Sequence, residues 1–447
     1  MTNSVFNIGD SFVNSLNRTS VILMNSNMEL TPEIIRLEIK YTLRGMASGN
    51  FILNDVDENV YDKYPLVSGE FLFISIISPE SEVKVITEMF IISEVFPIGT
   101  DVSGANNKNK FRISFVSTNT IINEMLMISK GYPGPNSTSV IVKKILEEFF
   151  QYGTDTNNKV YQILESETII EDFIIPYCHP FDIIRKLKDL SIPIDSKDAF
   201  LFYEEPGGIN FVSGSSLFGR APVYKLNRSN VSSYKSGIPM VNIKNDKFIS
   251  GANLLSSVKR GGLGGTYYHF NSINKEIVEN KYTPTENFFD GMPTISNNSF
   301  FKSDYYKAST TSYYLPLTKD SSAGSAYAMR KVRTDVFETL KLKADINGTV
   351  DIQLGNTVYV EFILGPDKLN LWYTGTWLVS EYKLIFMNED TDVKAMNKQT
   401  LKTELILSKD GYGTIPRDIK DEANLINISK NINNDLGTID VKSGDKK

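Results

Sequence analysis

Two stretches of this 447-residue chain repeat one pattern, and that repetition limits the fold more than any other feature. The first stretch holds Gly69-Glu-Phe-Leu-Phe-Ile-Ser-Ile, then Phe90-Ile-Ile-Ser-Glu-Val, then Phe111-Arg-Ile-Ser-Phe-Val-Ser. The second holds Gly355-Asn-Thr-Val-Tyr-Val-Glu-Phe, then Trp377-Leu-Val-Ser-Glu-Tyr, then Lys402-Thr-Glu-Leu-Ile-Leu-Ser. Gly69 to Ser93 is 24 positions and Gly355 to Ser380 is 25; Ser93 to Ser117 is 24 and Ser380 to Ser408 is 28. The surplus falls in the polar loop Asn388–Lys398. Each stretch reads as a glycine turn, a strand, an aromatic-aliphatic strand ending in Ser-Glu, and a closing strand. Alternation alone is common to all half-buried strands. The matched spacing points further, to two copies of one β-barrel module in a single chain. Three such chains would present six quasi-equivalent barrels, so that a threefold object could meet a sixfold one.

The rest of the chain is read around these copies. Residues 1–30 read as a polar N-terminal arm with one apolar patch, Val21-Ile-Leu-Met. Residues 31–118 read as the first β-barrel module, in which Ile35, Leu37 and Ile39 alternate with Arg36, Glu38 and Lys40. Further strands are expected at Asn50–Leu53, Gly69–Ser78, Ser81–Val95 and Lys110–Val116. Residues 119–240 read as an inserted α/β domain. In it Thr120–Ser129 has helical spacing and Gly131-Tyr-Pro-Gly-Pro breaks it. Ser137 or Thr138 caps a helix to about Gln151 with Val140, Ile141, Ile145, Leu146 and Phe149 on one face. Pro180 opens a third helix to Leu190, and Ala199–Tyr203 with Ile209–Ser213 form a hairpin. The second barrel is assigned to 241–282 and 330–409. Residues 283–329 read as a long interface loop and 410–447 as a polar tail. The fold class is therefore mainly β with an α+β insertion.

Composition removes several function classes. Forty-seven basic against 53 acidic side chains give a net charge of −6, the wrong sign for a general nucleic-acid binder. The single cysteine, Cys178, excludes an intrachain disulfide. MTNSVFNIGD at the start lacks the basic-then-apolar pattern of a signal peptide, and no run approaches the ~20 apolar residues of a membrane span.

The side chains that could carry chemistry read as structural. With two histidines, His179 and His269, no metal-ligand spacing exists. Cys178-His179 suggests a thiol and its base, but neighbours in an extended segment face opposite ways. Arg260-Gly-Gly-Leu-Gly-Gly-Thr lacks the spacing of a phosphate cradle and reads as a turn. Glu204-Glu205 and Glu147-Glu148 are adjacent pairs, whereas glycoside hydrolysis needs carboxylates facing each other across a cleft. Tyr305-Tyr306 and Tyr313-Tyr314 fit a protein interface better than a base-stacking platform. No catalytic, cofactor or metal residue is assigned, and no enzymatic activity is expected.

In order along the chain, Ile34-Ile-Arg-Leu-Glu-Ile-Lys-Tyr-Thr-Leu-Arg-Gly precedes Gly49-Asn-Phe-Ile-Leu-Asn-Asp. Pro180-Phe-Asp-Ile-Ile-Arg-Lys-Leu and Ala199-Phe-Leu-Phe-Tyr-Glu-Glu-Pro-Gly-Gly-Ile-Asn-Phe follow. Ile352-Gln-Leu-Gly-Asn-Thr-Val-Tyr-Val and Thr376-Trp-Leu-Val-Ser-Glu-Tyr complete the set. Over roughly residues 30–410 this order resembles the central baseplate hub protein of contractile-tailed bacteriophages, a fold shared with the N-terminal part of the type VI secretion spike protein. The resemblance implies a structural homotrimer, with pseudo-sixfold symmetry, that adapts the hexameric tail tube to a trimeric central spike and leaves a channel for DNA. Implied partners are a second and third copy of the chain, the spike protein, the tube or tube-initiator protein, baseplate wedge proteins and the tape measure protein. It implies no sequence-specific nucleic-acid contact, no membrane insertion by this chain, no cofactor, and a place in the virion tail after assembly in the host cytoplasm. A receptor-binding adhesin and a tail-associated cell-wall hydrolase are the rival readings.

Overall fold

The computed structural model describes residues 18–55, 66–78, 85–99, 109–152, 160–194, 199–227, 239–249, 265–271, 275–282, 312–315, 340–365, 368–370, 373–388 and 399–409. The N-terminal half holds β1 (Arg18–Leu23), β2 (Met28–Glu29), β3 (Ile34–Thr42), β4 (Ser48–Asp55), β5 (Phe71–Ile77), β6 (Val85–Gly99) and β7 (Asn109–Ser117). An α/β segment follows with α1 (Thr118–Met125), β8 (Ile128–Ser137), α2 (Thr138–Phe150), β9 (Val160–Ile163), β10 (Ile169–Cys178), α3 (Pro180–Leu190), β11 (Phe200–Glu205), β12 (Gly208–Ser213) and α4 (Gly214–Phe218). The C-terminal half holds β13 (Tyr224–Asn227), β14 (Met240–Ile249), β15 (Gly265–Asn271), β16 (Glu276–Tyr282), β17 (Ser312–Leu315), β18 (Leu340–Asn347), β19 (Thr357–Glu361), β20 (Ile363–Gly365), β21 (Lys368–Leu369), β22 (Gly375–Asn388) and β23 (Gln399–Lys409). The protein is mainly β, built on tube-type sheets, with helices confined among the described residues to the α/β segment and one short 3-10 turn at Thr31–Glu33.

The repeat is real at the level of topology, and it is larger than the sequence pattern showed. In chain order β3, β4, β5, β6, β7 form one five-strand unit, and β14, β18, β19, β22, β23 form the other. Calling these positions a to e, the sheet order within each unit is a-b-e-d-c. Three irregularities recur at equivalent places. Strand a carries a bulge at Ile35 and at Lys244. Strand d carries one at Ser93 and at Ser380, each serine donating its hydroxyl to the facing carbonyl, Ser114 at 3.0 Å and Ile406 at 2.9 Å. The turn before strand c holds a glycine at positive φ, Gly69 at 96° and Gly355 at 74°, a conformation that L side chains rarely adopt. Gly69 N–H meets the Ile92 carbonyl at 2.8 Å and Gly355 N–H the Val379 carbonyl at 3.0 Å. Bulges break a ladder at one chosen residue, so matched bulges fix the alignment of two copies to the residue.

That alignment corrects the sequence pattern by one position in the closing strand. Ser114 is equivalent to Ile406, so Ser408 corresponds to Val116 and not to Ser117. Ser117 instead caps α1, accepting from the Asn119 N–H. Alternation repeats every two residues and cannot detect a slip of one from a single strand.

The second unit closes. Strand β13 pairs in parallel with both β14 and β19, and β19 pairs with β22, giving a six-stranded barrel. In the first unit β1 takes the place beside strand c, pairing antiparallel with β5. Val21 and Leu23 of β1 are buried, so the second half of the supposed N-terminal arm contributes a strand to the first unit's sheet. Likewise β13 shows that residues 224–227, read as part of the insertion, belong to the second barrel's sheet. The two barrel cores form one continuous apolar cluster, with Phe51, Phe90 and Phe115 in the first unit and Val358, Trp377 and Leu405 in the second.

The α/β segment has its own core around Ile141, Ile145, Phe150, Phe181, Ile184, Phe200 and Phe211. Helix α2 begins as expected, with the Ser137 side chain accepting from the Val140 N–H. Its buried face is Ile141, Val142, Ile145, Leu146 and Phe150; Val140 is exposed. Gly131-Tyr-Pro-Gly-Pro, expected to be a break, lies in strand β8, which pairs only with β10 among the described strands. A strand with one free edge tolerates proline. The long segment 283–329 contains one described strand, β17, which joins β15 in parallel; the remainder of that segment and the tail 410–447 lie outside the described residues.

Candidate assembly interface

The two units meet edge to edge. Strand d of the second, β22, pairs antiparallel with strand a of the first, β3, from Glu381 opposite Thr42 to Met387 opposite Arg36. Leu43 N–H reaches the Ser380 carbonyl at 3.2 Å in the same register. On the core side the joint packs Leu37, Ile39 and Tyr41 against Tyr382, Leu384 and Phe386, all buried, with the two tyrosine rings 5.8 Å apart. On the other side Lys40 meets Glu381 at 2.8 Å and Lys383 meets Glu38 at 3.3 Å. Each large apolar side chain contributes about 1.5–3 kcal/mol on burial, and each half-exposed ion pair about 0–1 kcal/mol. The joint is therefore held by its apolar face and backbone ladder, and the charges set its register.

Burial pushes the Tyr41 and Tyr382 phenols up, with Glu88 adding to the effect on Tyr41 and Asp351 to that on Tyr382. A phenol whose folded pKa is raised keeps its stabilising contribution below the unfolded value of about 10 and loses it as pH climbs toward the folded value. Alkaline titration should leave the protein intact to about pH 10 and then cost up to ~1.4 kcal/mol per pH unit for each buried tyrosine. The phenolate absorbance of these residues should appear together with unfolding, and Tyr41→Phe with Tyr382→Phe should move the transition to higher pH.

Strands a, b, e and d of both units make one sheet in which every neighbour is antiparallel, so the two units run in the same direction. The sheet face away from the cores is charged and internally neutralised. Glu38, Asp345, Glu381 and Glu404 face Lys383, Lys402, Lys40 and Lys343. In Glu38 burial raises the carboxyl pKa, but Lys383 and Arg36 outweigh it and hold the group below its ordinary value. Arg112 adds positive charge on strand e, where it is exposed. The acid excess of the whole chain is thus not displayed on this face. Net charge counted over a sequence does not say which face carries it.

The Glu204 carboxylate ties the α/β segment to the first unit, beside the Gly207 N–H, which donates to Glu88 Oε1 at 2.7 Å, and the Glu204 N–H, which donates to the Gly45 carbonyl at 3.3 Å. Glu204, 4% exposed, accepts from Ser117 Oγ and Asn119 Nδ2 at 2.6 Å each on Oε1, and from the Ala47 N–H at 2.9 Å on Oε2. Its neighbour Glu205 points elsewhere and has its carboxyl pKa raised by burial. The segment also touches the second unit, where Thr357 donates to the Arg220 carbonyl at 2.8 Å and a Cβ at Gly355 would lie 2.7 Å from the Tyr203 hydroxyl. Proximity in sequence did not reveal Glu204's role, because its partners lie 85 or more positions away.

The other constellations stay apart. His179 Nδ1 lies 3.0 Å from the Asn123 carbonyl and 2.9 Å from that of Leu126, while Cys178 Sγ turns to the Pro176 carbonyl. Burial raises the thiol's pKa, which opposes a nucleophilic role. Glu147 pairs with Lys143, and Glu148 with Lys130 and Tyr132. Tyr313 and Tyr314 lie in β17, and His269 lies in β15. Arg260 to Thr266 falls largely outside the described residues, as do Tyr305 and Tyr306. No group of three or more metal-ligating side chains occurs among the described residues, and none of their helices is long and apolar enough to cross a membrane.

No family model matches the sequence, and no curated protein matches it. Solved structures do. A tail protein from Neisseria meningitidis MC58 superposes with a TM-score of 0.53 at 13% identity, covering 89% of this chain and 98% of that one. This chain has the phage tail-protein fold. The 43 kDa tail protein of prophage MuSo2 from Shewanella oneidensis gives 0.53 at 8% identity over 88% and 98%. A type VI secretion component of E. coli is more distant, with a TM-score of 0.44 at 12% identity over 86% and 76%. Near-complete coverage of the two tail proteins matches the sequence resemblance in fold.

Proposed function

We propose that the protein is a structural hub of a phage tail baseplate, a ring of three chains that joins a sixfold tail tube to a threefold central spike. One observation carries this reading. The internal joint pairs strand d of one unit with strand a of another, which are different surfaces. Such a head-to-tail contact uses up one d edge and one a edge and leaves another of each, on β6 beyond Ile91 and on β14 beyond Asn242, where the described strands supply no second partner. A contact of this kind either closes into a ring or grows without limit. Closure through three chains gives six units pointing the same way.

The barrels occupy one side of the continuous sheet, and bulk of that size fits on the outside of a curved wall. The charged face would then line the central passage. Its paired acids and bases would let a polyanion pass with little adhesion, since each unpaired Lys or Arg contact to phosphate strengthens binding. The inserted segment occurs once per chain and marks threefold positions, while the units mark six. The spike and the tube or tube-initiator protein are the partners this geometry suits, with wedge and tape measure proteins as further contacts, in the virion tail after assembly in the host cytoplasm.

The test is functional seeding. Purified hub should nucleate polymerisation of the tube protein of the same particle and remain at one end of each tube in electron micrographs. Tubes that form equally fast without it, and never carry it at an end, would overturn the reading.

A further inference from the structure

The ring reading leaves open how one chain meets the next, and the equivalence of the two units answers it in residue detail. Resting on that reading, we infer that the joint between chains is an antiparallel pairing of the outer edge of β6, around Ser93–Pro97, with the outer edge of β14 in the next chain. Phe96 sits opposite Ile249 and Pro97 opposite Phe248.

The register comes from the internal joint. The shared bulge makes Ser93 equivalent to Ser380, so Glu94, Val95, Phe96 and Pro97 correspond to Glu381, Tyr382, Lys383 and Leu384. The bulge in strand a makes Ile34 equivalent to Ile243, so Ile39 and Lys40 correspond to Phe248 and Ile249. Inside the chain Lys383 faces Lys40 and Leu384 faces Ile39. Transferred to the free edges, those pairs become Phe96 with Ile249 and Pro97 with Phe248. Among the described strands neither edge has a partner where the pairing needs it. Beyond Ile91, β6 has only β7 as a described partner, and beyond Asn242, β14 has only β18.

The side chains on these edges are the wrong kind for water. Phe96 is 56% exposed, Ile98 46% and Phe248 42%. Phe248 already lies on an aromatic shelf, stacked on Phe362 with centroids 5.5 Å apart and beside Tyr373 at 5.0 Å. An incoming strand would cover the open side of that shelf. Exposed apolar residues on an unpaired edge recruit another strand unless something blunts it. Pro97 is that device. At the internal joint Leu43 N–H bonds the Ser380 carbonyl, so the backbone groups of Tyr382 and Leu384 also point across the joint. Pro97, the equivalent of Leu384, therefore faces the edge with no N–H. The extra residue Ile98 then breaks the register before Gly99. The external ladder is shorter than the internal one, and side-chain burial must supply more of its stability.

The two joints consequently differ in chemistry. Where the internal one has Lys383 and Lys40 neutralised by Glu38 and Glu381, the external one has Phe96 and Ile249. Glu94 and Lys247 take the places of Glu381 and Glu38 but meet Ile249 and Phe96 where the internal joint has lysines, so salt should weaken assembly little.

Cysteine cross-linking tests the register. By the same alternation Lys383 and Lys40 form a non-hydrogen-bonded pair, whose side chains lie closest, so Phe96→Cys and Ile249→Cys in a Cys178→Ser background should oxidise to a disulfide between chains. Denaturing gels without reductant should show two- and three-chain species that collapse to one chain on reduction. Phe96→Cys with Phe248→Cys, one residue out of register and on the opposite face, should stay unlinked. Phe96→Glu should dissociate the oligomer at least tenfold more readily without lowering the melting temperature of the separated chain, and about 1 M salt, where screening reaches ~3 Å, should leave the unsubstituted oligomer intact. An assembled oligomer in which the first pair fails to link, or in which the control pair links instead, overturns the joint while sparing the ring. A ladder running past three chains supports the joint and overturns closure. Absence of any oligomer before substitution overturns both.

Discussion

Glu204→Ala should destabilise the protein by about 3–5 kcal/mol, because three buried donors lose their acceptor at once. The carboxylate answers three donors at once, the Ser117 hydroxyl, the Asn119 amide and the Ala47 N–H. All three residues are buried, and a buried donor left without an acceptor costs about 1–3 kcal/mol. Asn119 keeps its bond to the Tyr152 hydroxyl at 2.9 Å, which softens the loss. Glu204→Gln should cost less, about 1–2 kcal/mol, because its carbonyl can still serve Ser117 and Asn119 while its NH2 group opposes the Ala47 N–H. Glu147→Ala, in a half-exposed i,i+4 pair with Lys143, should cost under about 0.5 kcal/mol. Urea unfolding of the three variants checks the order. Equal small losses for all would show that Glu204 does not hold the inserted segment to the first unit.

Trp377→Ala should cost about 3–5 kcal/mol as well, by a different route. The ring is fully buried and lies 6.2 Å from Phe362 and 6.5 Å from Phe248 between centroids. Its indole N–H donates to the Tyr373 carbonyl at 3.0 Å, and the Lys409 ammonium lies 5.7 Å from the ring. Truncation opens a cavity in the closed barrel and removes the support of the Phe248 shelf. The equivalent residue in the first unit is Phe90, buried and 4.9 Å from Phe115. Phe90→Ala should therefore lose a similar amount, about 3–4 kcal/mol. Trp377→Ala should also weaken association between chains, whereas Phe90→Ala, away from the shelf, should lower stability alone. Denaturant unfolding and sedimentation of the two variants separate these effects.

Much of this fold was legible in the sequence because alternation and turn residues act locally. The Ser-Glu pairs, read as strand ends but lying inside β6 and β22, and the glycines before both c strands were visible as letters. They proved to be two bulges and two left-handed turns bonded to each other. Helix α3 followed from Pro180, and the β11–β12 hairpin from its Pro-Gly-Gly turn. What escaped depended on partners distant in the chain. Strand β1 looked like part of a polar arm because its pairing with β5 spans some fifty residues. Strand β13 is four residues long and joins β14 and β19 in parallel, a pairing that leaves no local mark. The a and b strands of the second unit are separated by the long excursion after Ile249, which hid their kinship with β3 and β4. The assembly interface was the least legible part. Its edges are recognisable only once the internal joint shows which strand an edge of each type accepts.

Native mass spectrometry of the full chain, alone and with its tail partners present, tests the head-to-tail account most directly. A single dominant assembly at three times the 50.3 kDa of one chain is expected. A two-chain assembly would mean that like edges pair about a twofold axis, and a single chain under every condition would mean that the free edges of β6 and β14 do not meet; either result contradicts the account.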